Sequence, residues 1–414
     1  MLHKVSLGTG NINKYRLILD RETIDEVVAL GEELKGLRVC HINSTPFGGG
    51  VAELLVSHIP LLRSLGIKAD WQVIHGDRRF FTITKGLHNS LQGAKFTATR
   101  AESWRDLYLS INKVNAAQLD ADYDVFIVND PQPAAMRHYL PDNKAKWVWR
   151  CHVDSSQPDE TVWQFLRPYI EEHDAAVFTT SKFIPETLKL KRIATMAPAI
   201  DPFTSKNMFI KRYLCREMLE TLGIDRHRPL ITQVSRFDRW KDPFGTIAAY
   251  QIAKEKVPGL QLAMIGSFAS DDPEGWEMYA ALNEEANKDD DVIISSNLTG
   301  VGNMEVNAFQ RASDLIVQKS IREGFGLVVA EALWKGTMVV AGNAGGIPLQ
   351  MPGELGNYLV DNIEQCAEKI VYLLQNPQQR ERLGQAGHEV ITHHFLTPRL
   401  VRDELALIKE LMAK

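Results

Sequence analysis

Short apolar runs alternate along this chain with longer stretches in which apolar residues recur every third or fourth position, and the alternation is set up once in each half. Continuous apolar runs bounded by turn residues predict buried parallel strands, and the spaced pattern predicts helices packed on them. In the first half the strands fall at residues 37–44, 69–75, 123–128, 146–151 and 175–181. A helix at 51–65 carries apolar residues at 51, 54, 55, 59, 62 and 65, whereas residues 1–35 are polar with an amphipathic turn at 24–34. Residues 76–93 hold Phe80, Phe81, His88 and several amides and read as a long loop after a strand, a place to build an acceptor site. Two prolines within 196–202 break the pattern and mark a linker.

In the second half, strands at 230–234, 260–265, 292–296, 314–320 and 337–341 alternate with helices at 244–256, 276–286, 305–312 and 327–335. Helices at 364–375 and 400–412 close the chain. This alternation predicts an α/β protein of two doubly wound, Rossmann-like domains facing a cleft. The domains are 1–200 and 201–396, with the amphipathic C-terminal segment 397–414 crossing back to the first.

Glycines and polar residues gather where strands hand over to helices, and there open parallel sheets build ligand sites. Gly324 and Gly326 leave the backbone bare just before the helix that begins at Leu327. Unpaired helix-start amides and the helix dipole suit a polar or anionic ligand. Glu323 sits in this turn and Glu331 about one helical turn inside, among Val328, Val329, Ala330, Ala332 and Leu333, where a charge needs a partner. The first half repeats the device with Gly48, Gly49 and Gly50 after strand 37–44, without the G-x-G-x-x-G spacing of an ordinary dinucleotide site. Asp130 follows strand 123–128, and His152 and Asp154 follow strand 146–151. Arg236 and Lys241 stand in the first strand-to-helix turn of the second half, a fork and a point charge able to converge on a diphosphate.

A chain of 414 residues exceeds one core, and 44% apolar content suffices for two. The net charge of -5, with no Lys/Arg block, gives no reason to expect nucleic acid or an anionic membrane. Cys40, Cys151, Cys215 and Cys366 are too scattered for a zinc set and read as reduced core residues. With no apolar signal core at the start, the expectation is a soluble, cytoplasmic protein.

Arg236-x4-Lys241, Glu323-Gly-Phe-Gly-x4-Glu331, the Gly48-Gly49-Gly50 turn, the Pro-Ala-Ile-Asp linker and Gly345-Gly346 together resemble the retaining nucleotide-sugar glycosyltransferases of the GT-B fold, in the glycogen- and sucrose-synthase-like family. Within it the chain is similar, nearly end to end, to the trehalose glycosyltransferring synthases. The runs at 41–53, 130–133, 149–154, 271–276 and 306–314 carry that likeness. Met351-Pro-Gly-Glu-Leu-Gly356 departs from the Asp-Gly turn usual there.

The resemblance implies reversible transfer of glucose from a UDP- or ADP-glucose to the anomeric hydroxyl of free glucose, giving α,α-trehalose with retention and without a cofactor or metal. The catalytic candidates are Arg236, Lys241, His152 and Glu323. Arg236 and Lys241 would hold the diphosphate, Glu331 the ribose, and Glu323 with the amides around Phe325, Gly326 and Leu327 the donor glucose. Gly49 and Gly50 would approach the phosphates, with Asp130, His152 and Asp154 on the sugars. The implied partners are NDP-glucose, glucose, trehalose and a second copy of the chain as a homodimer. A trehalose phosphorylase using inorganic phosphate, or a nucleotide-sugar-binding module without turnover, are the alternatives.

Overall fold

The computed structural model describes residues 1–97, 101–268 and 274–413. Residues 271–273 of the 271–276 run therefore lie outside the described residues. The chain divides into two compact units: Met1–Ala199 with the residues from Thr397 on, and Ile200–Leu396.

In unit 1, seven strands form one sheet among the described residues: β1 (His3–Lys4), β2 (Arg38–Asn43), β3 (Lys68–Val73), β4 (Val125–Asn129), β5 (Lys146–Cys151), β6 (Ala175–Phe178) and β7 (Ile193–Thr195). Their order is β1-β3-β2-β4-β5-β6-β7, parallel except where β1 runs against β3. The strands are apolar on both faces because both faces are covered. Phe126 and Val128 of β4 enter one core with Trp147 and Trp149, and Val125 and Ile127 enter the other with Val148 and Val177.

The covering helices are α1 (Arg21–Glu33), α2 (Gly50–Ser64), α3 (Arg78–Leu91), α4 (Ala101–Gln118), α5 (Glu160–Ile170) and, from the end of the chain, the last helix, Thr397–Met412. The last helix places Leu400, Val401, Leu405, Leu407, Ile408 and Leu411 in the second core. The fold thus returns its C-terminal helix to the N-terminal sheet.

One expectation is corrected in this unit: residues 76–93 are not a loop but mostly the helix α3. Asp77 caps it, its Oδ1 accepting from the Phe80 amide at 2.8 Å. Phe80, Thr84, Leu87 and Leu91 form its buried stripe. Intervening polar residues hid that stripe, and Phe80 lies over Tyr108 of α4 with ring centroids 6.3 Å apart.

Unit 2 carries α6 (Arg212–Glu220), α7 (Pro243–Lys254), α8 (Glu274–Ala286), α9 (Asn303–Ala312), α10 (Leu327–Trp334), α11 (Ile347–Gln350), α12 (Ile363–Gln375) and α13 (Pro377–His394), so the Thr397–Met412 helix is α14. Its strands are β8 (Leu230–Arg236), β9 (Gln261–Ser267), β10 (Val292–Ser296), β11 (Leu315–Gln318), β12 (Val339–Gly342) and β13 (Leu359–Val360). They pair in the order β10-β9-β8-β11-β12-β13, all parallel.

The pattern did not forecast α13, which carries Gly384 and Gly387. They are contact residues. A Cβ on Gly384 would stand 2.0 Å from the Gly336 carbonyl oxygen, and one on Gly387 2.6 Å from Leu333 Cδ2, so bare backbone lets α13 lie close on α10. Among the described residues, no helix is long and apolar enough to cross a membrane.

Candidate active site

In doubly wound sheets, ligands bind beyond the carboxyl ends of the strands where the strand order reverses. That switch falls between β2 and β4 in unit 1 and between β8 and β11 in unit 2. The residues singled out from sequence follow those four strands, or β5 beside β4.

In unit 2, β8 ends at Arg236, and a short turn, Arg239–Lys241, leads into α7. Arg236 pairs with Asp238 at 3.5 Å, and the Asp238 side chain accepts from the Trp240 amide at 2.9 Å. Gln233 donates to the Lys241 carbonyl at 2.8 Å, fixing the backbone that carries the ammonium group. Lys241 Nζ then donates to Glu323 Oε2 at 2.6 Å, and the Ser320 hydroxyl donates to the same oxygen at 3.2 Å. A cation after β8 and a carboxylate after β11 therefore hold each other directly. Beside them Lys319 forms an ion pair with Asp242, which caps α7 from a left-handed conformation.

The turn after β11 is braced from several sides. The Gly346 amide donates to the Glu323 carbonyl at 3.4 Å, and Gln350 Nε2 donates to the Phe325 and Gly326 carbonyls at 2.5 and 3.3 Å. Gly326, at φ 84°, stands at the head of α10, where it supplies no side-chain cap. A left-handed residue here must be glycine in practice. The Phe325 ring packs on Phe395, with centroids 5.4 Å apart.

Glu331 is 2% exposed and has its partners: Lys206 Nζ at 3.0 Å from Oε1, and Gln310 Nε2 at 3.0 Å from Oε2. Lys335 donates to Gln310 Oε1, Asn207 Oδ1 and the Glu331 carbonyl, and burial holds its pKa well below the ordinary lysine value. Sequence reasoning demanded a partner for Glu331 but had no means to name Lys206, which arrives from a polar stretch more than a hundred residues upstream.

In unit 1, Gly49 takes φ 83° at the head of α2, and Gly50 is the first residue of that helix. A Cβ on Gly49 would touch nothing, so the conformation rather than crowding demands glycine. Asp130 also has a positive φ, 63°, and its Oδ1 accepts from the His152 amide at 2.8 Å. Burial pushes the Asp130 carboxyl up to about 7. His152 is half-buried, and its Nε2 lies 3.0 Å from Asn129 Oδ1. Because Asn129 spends its Nδ2 on the Ile42 carbonyl at 3.1 Å, Oδ1 is assigned as the acceptor, and the His152 proton sits on Nε2. Burial first, then the Arg150 charge, keep this imidazole neutral. Asp154 turns inward, its Oδ1 accepting from the Ser156 amide and hydroxyl at 3.1 and 2.6 Å.

The structure thus joins Asp130 to His152 and Lys241 to Glu323. Asn129, Ser320, Gln350 and Lys206 are the supporting residues that sequence reasoning missed. Only Asn129 carried a signal, standing next to Asp130 at the same strand end. Among the described residues one group has metal-ligand spacing, His41, His58 and Glu404, whose ligand atoms lie within 4.8 Å of one another.

Comparison with known proteins agrees with both halves. Residues 41–185 match the family model described as trehalose synthase, N-terminal domain, and residues 216–390 match glycosyl transferases group 1. The chain is 43% identical to a trehalose synthase of Rubrobacter xylanophilus over 100% of both chains. It is 26% identical to a trehalose phosphorylase of Grifola frondosa over 85% of this chain and 54% of that protein. Among solved structures, sucrose-phosphate synthase from Thermosynechococcus elongatus shares the fold, at TM-score 0.72 and 18% identity over 91% of this chain and 99% of that one. The fold is therefore that of the GT-B glycosyltransferases.

Proposed function

From the chain's membership of the trehalose synthase family of group 1 glycosyltransferases, we propose that it moves glucose reversibly from UDP- or ADP-glucose to the anomeric hydroxyl of free glucose, forming α,α-trehalose with retention. The observation that carries the reading is the Lys241–Glu323 contact of 2.6 Å at the switch point of the unit 2 sheet. The two charges satisfy each other. With a donor bound, Lys241 turns to the diphosphate beside Arg236, and Glu323 accepts hydrogen bonds from the donor glucose.

The chemistry needs charge stabilisation at the leaving group more than it needs an acid. The bond between the sugar C1 and the phosphate oxygen breaks, and negative charge grows on the diphosphate. Arg236 and Lys241, both part-buried, oppose that charge as preorganised donors. The acceptor oxygen bonds to C1 on the face the phosphate leaves, and its proton passes to the departing phosphate. NDP leaves, and no covalent glycosyl-enzyme forms, unlike the two-carboxylate retaining glycosidases.

Phe325, Gly326 and Leu327 present amides to the donor sugar, and Glu331, released in part from Lys206, takes the ribose hydroxyls. Gly49 and Gly50 approach the phosphates, and Asp130, Asp154 and neutral His152 orient the sugars. Because two side-chain cations supply the charge, no metal cofactor is assigned to the reaction.

Incubating the protein with UDP-glucose or ADP-glucose and free glucose tests this. Trehalose and NDP in equal amounts, at a rate that a chelator leaves unchanged within about twofold, support it. Hydrolysis of the donor without trehalose contradicts it.

A further inference from the structure

The proposed reaction leaves one buried charged cluster in unit 1 without a task. Glu404, in α14, is 2% exposed. Its Oε1 lies 2.8 Å from His58 Nε2 in α2 and 3.2 Å from His41 Nε2 in β2, and its Oε2 accepts from the Arg150 guanidinium of β5 at 3.3 Å. The two imidazoles meet edge to face with centroids 5.4 Å apart. His41 and His58 are fully buried and Arg150 is 3% exposed.

Each partner belongs to an element that borders residues given a part in the proposed transfer. His41 lies in β2 and His58 in α2, the strand and helix on either side of the Gly48-Gly49-Gly50 turn. Arg150 stands two residues before His152, and its carbonyl accepts the Asp130 amide at 2.8 Å. One carboxylate from the last helix thereby reaches all three elements at once.

Two readings of the cluster compete. A metal ion among His41, His58 and Glu404 would call for an acceptor at each free ring nitrogen, because metal-bound histidines ordinarily donate the other N–H. Among the described residues, both Nδ1 atoms are buried and lack a hydrogen-bond partner. The Arg150 charge already faces the same carboxylate. A hydrogen-bonded ion pair is the better fit: burial opposes the charge on Glu404, but the imidazoles hold its pKa well below the usual carboxylate range, while burial keeps His58 itself neutral.

We propose that Glu404 is a positioning residue for glycosyl transfer, acting through Arg150 to set the Asp130–His152 pair, with His58 holding its carboxylate in place. The inference rests on the proposed sugar-side roles of those groups. It also gives the crossing of the C-terminal helix a task beyond closing the core.

The test compares the wild type with Glu404→Gln, which keeps the shape and one acceptor oxygen but removes the charge. Folding is followed by circular dichroism, turnover by trehalose formation, and nucleotide binding by calorimetry with UDP and ADP. The expected result is a folded variant whose kcat falls about 10- to 100-fold while nucleotide Kd stays within about twofold, with Glu404→Asp recovering part of the loss. If Glu404→Gln does not fold, His58→Gln, which keeps an N–H toward Glu404, decides on the same two readouts. Unchanged kcat in a folded variant overturns the proposal, as does a parallel loss of kcat and nucleotide affinity, or stoichiometric metal in the purified protein. Wild-type protein that makes no trehalose overturns the functional reading as well, whereas an active wild type beside an unaffected variant overturns the positioning role alone.

Discussion

At the scale of single residues, charges placed at strand ends are satisfied by protein partners. Lys241 and Glu323 are the clearest instance, since they meet at 2.6 Å. Lys241→Ala and Glu323→Ala are each expected to lower kcat by about 10²–10³-fold, the usual cost of removing one preorganised charge-stabilising group. Circular dichroism should show both variants folded. Turnover near that of the wild type in both would remove this pair from the catalytic assignment.

Asp130 makes a second prediction because its carboxyl is raised to about 7 by burial. Its unfolded value lies near 3.8, so between roughly pH 4 and 7 the folded state holds a proton that the unfolded state has lost. This group's contribution to stability is therefore greatest on the acid side and declines as pH rises through that window. Asp130→Asn should flatten the decline, and urea titrations of both proteins at pH 5 and pH 8 measure it. An identical pH dependence in the variant would contradict the buried, protonated carboxyl.

The positions of Arg236, Lys241, Glu323 and the glycines were legible in the sequence because each sits where an apolar run stops, and a strand end is the one place a sheet cannot bury. The partners were not legible. Lys206 for Glu331 and Glu404 for Arg150 come from segments 125 and 254 residues away, and only the folded topology brings them near.

At the scale of elements, the central strands of both sheets and the helices α2, α7, α8, α9, α10, α12 and α14 followed from periodicity, whereas β1, β7, β13, α4, α5, α6 and α11 were not read from it, and two further misses have physical causes. α3 was hidden because its buried stripe is broken by polar neighbours and its start rests on the Asp77 cap. α13 was hidden because its glycines serve close packing on α10. The same logic makes Gly342, at the end of β12, a sensitive position. A Cβ there would stand 2.0 Å from the Ser320 carbonyl oxygen, backbone that cannot move without displacing the Glu323 turn. Gly342→Ala should destabilise the protein by roughly 1–3 kcal/mol, the usual cost of overpacking. It should also lower turnover, because Ser320 donates to Glu323. Denaturant melts and steady-state rates read the two effects, and a stable variant with full activity would show that the turn tolerates displacement.

At the scale of the whole molecule, the chain enters unit 2 near Ile200 and leaves it at Leu396, so unit 2 is continuous and unit 1 is not. The six apolar side chains that α14 sends into the unit 1 core contribute on the order of 10 kcal/mol together, at about 1.5–3 kcal/mol each. A chain ending at Leu396 should therefore lose the fold of unit 1, while residues 200–396 alone should fold and bind UDP or ADP. Two-dimensional NMR of that fragment with added nucleotide checks this, and an unfolded fragment would show that unit 2 depends on the rest of the chain.

In the proposed reaction a nucleoside diphosphate, not inorganic phosphate, is the group that accepts and releases glucose. Arg236 and Lys241 would suit either, so the most direct measurement runs the reaction backwards: trehalose with UDP, ADP or phosphate in parallel, with the sugar product identified. The expected products are UDP-glucose or ADP-glucose plus free glucose, with no product from phosphate alone. Glucose 1-phosphate formed from trehalose and phosphate, with no NDP-glucose from either nucleotide, would contradict it.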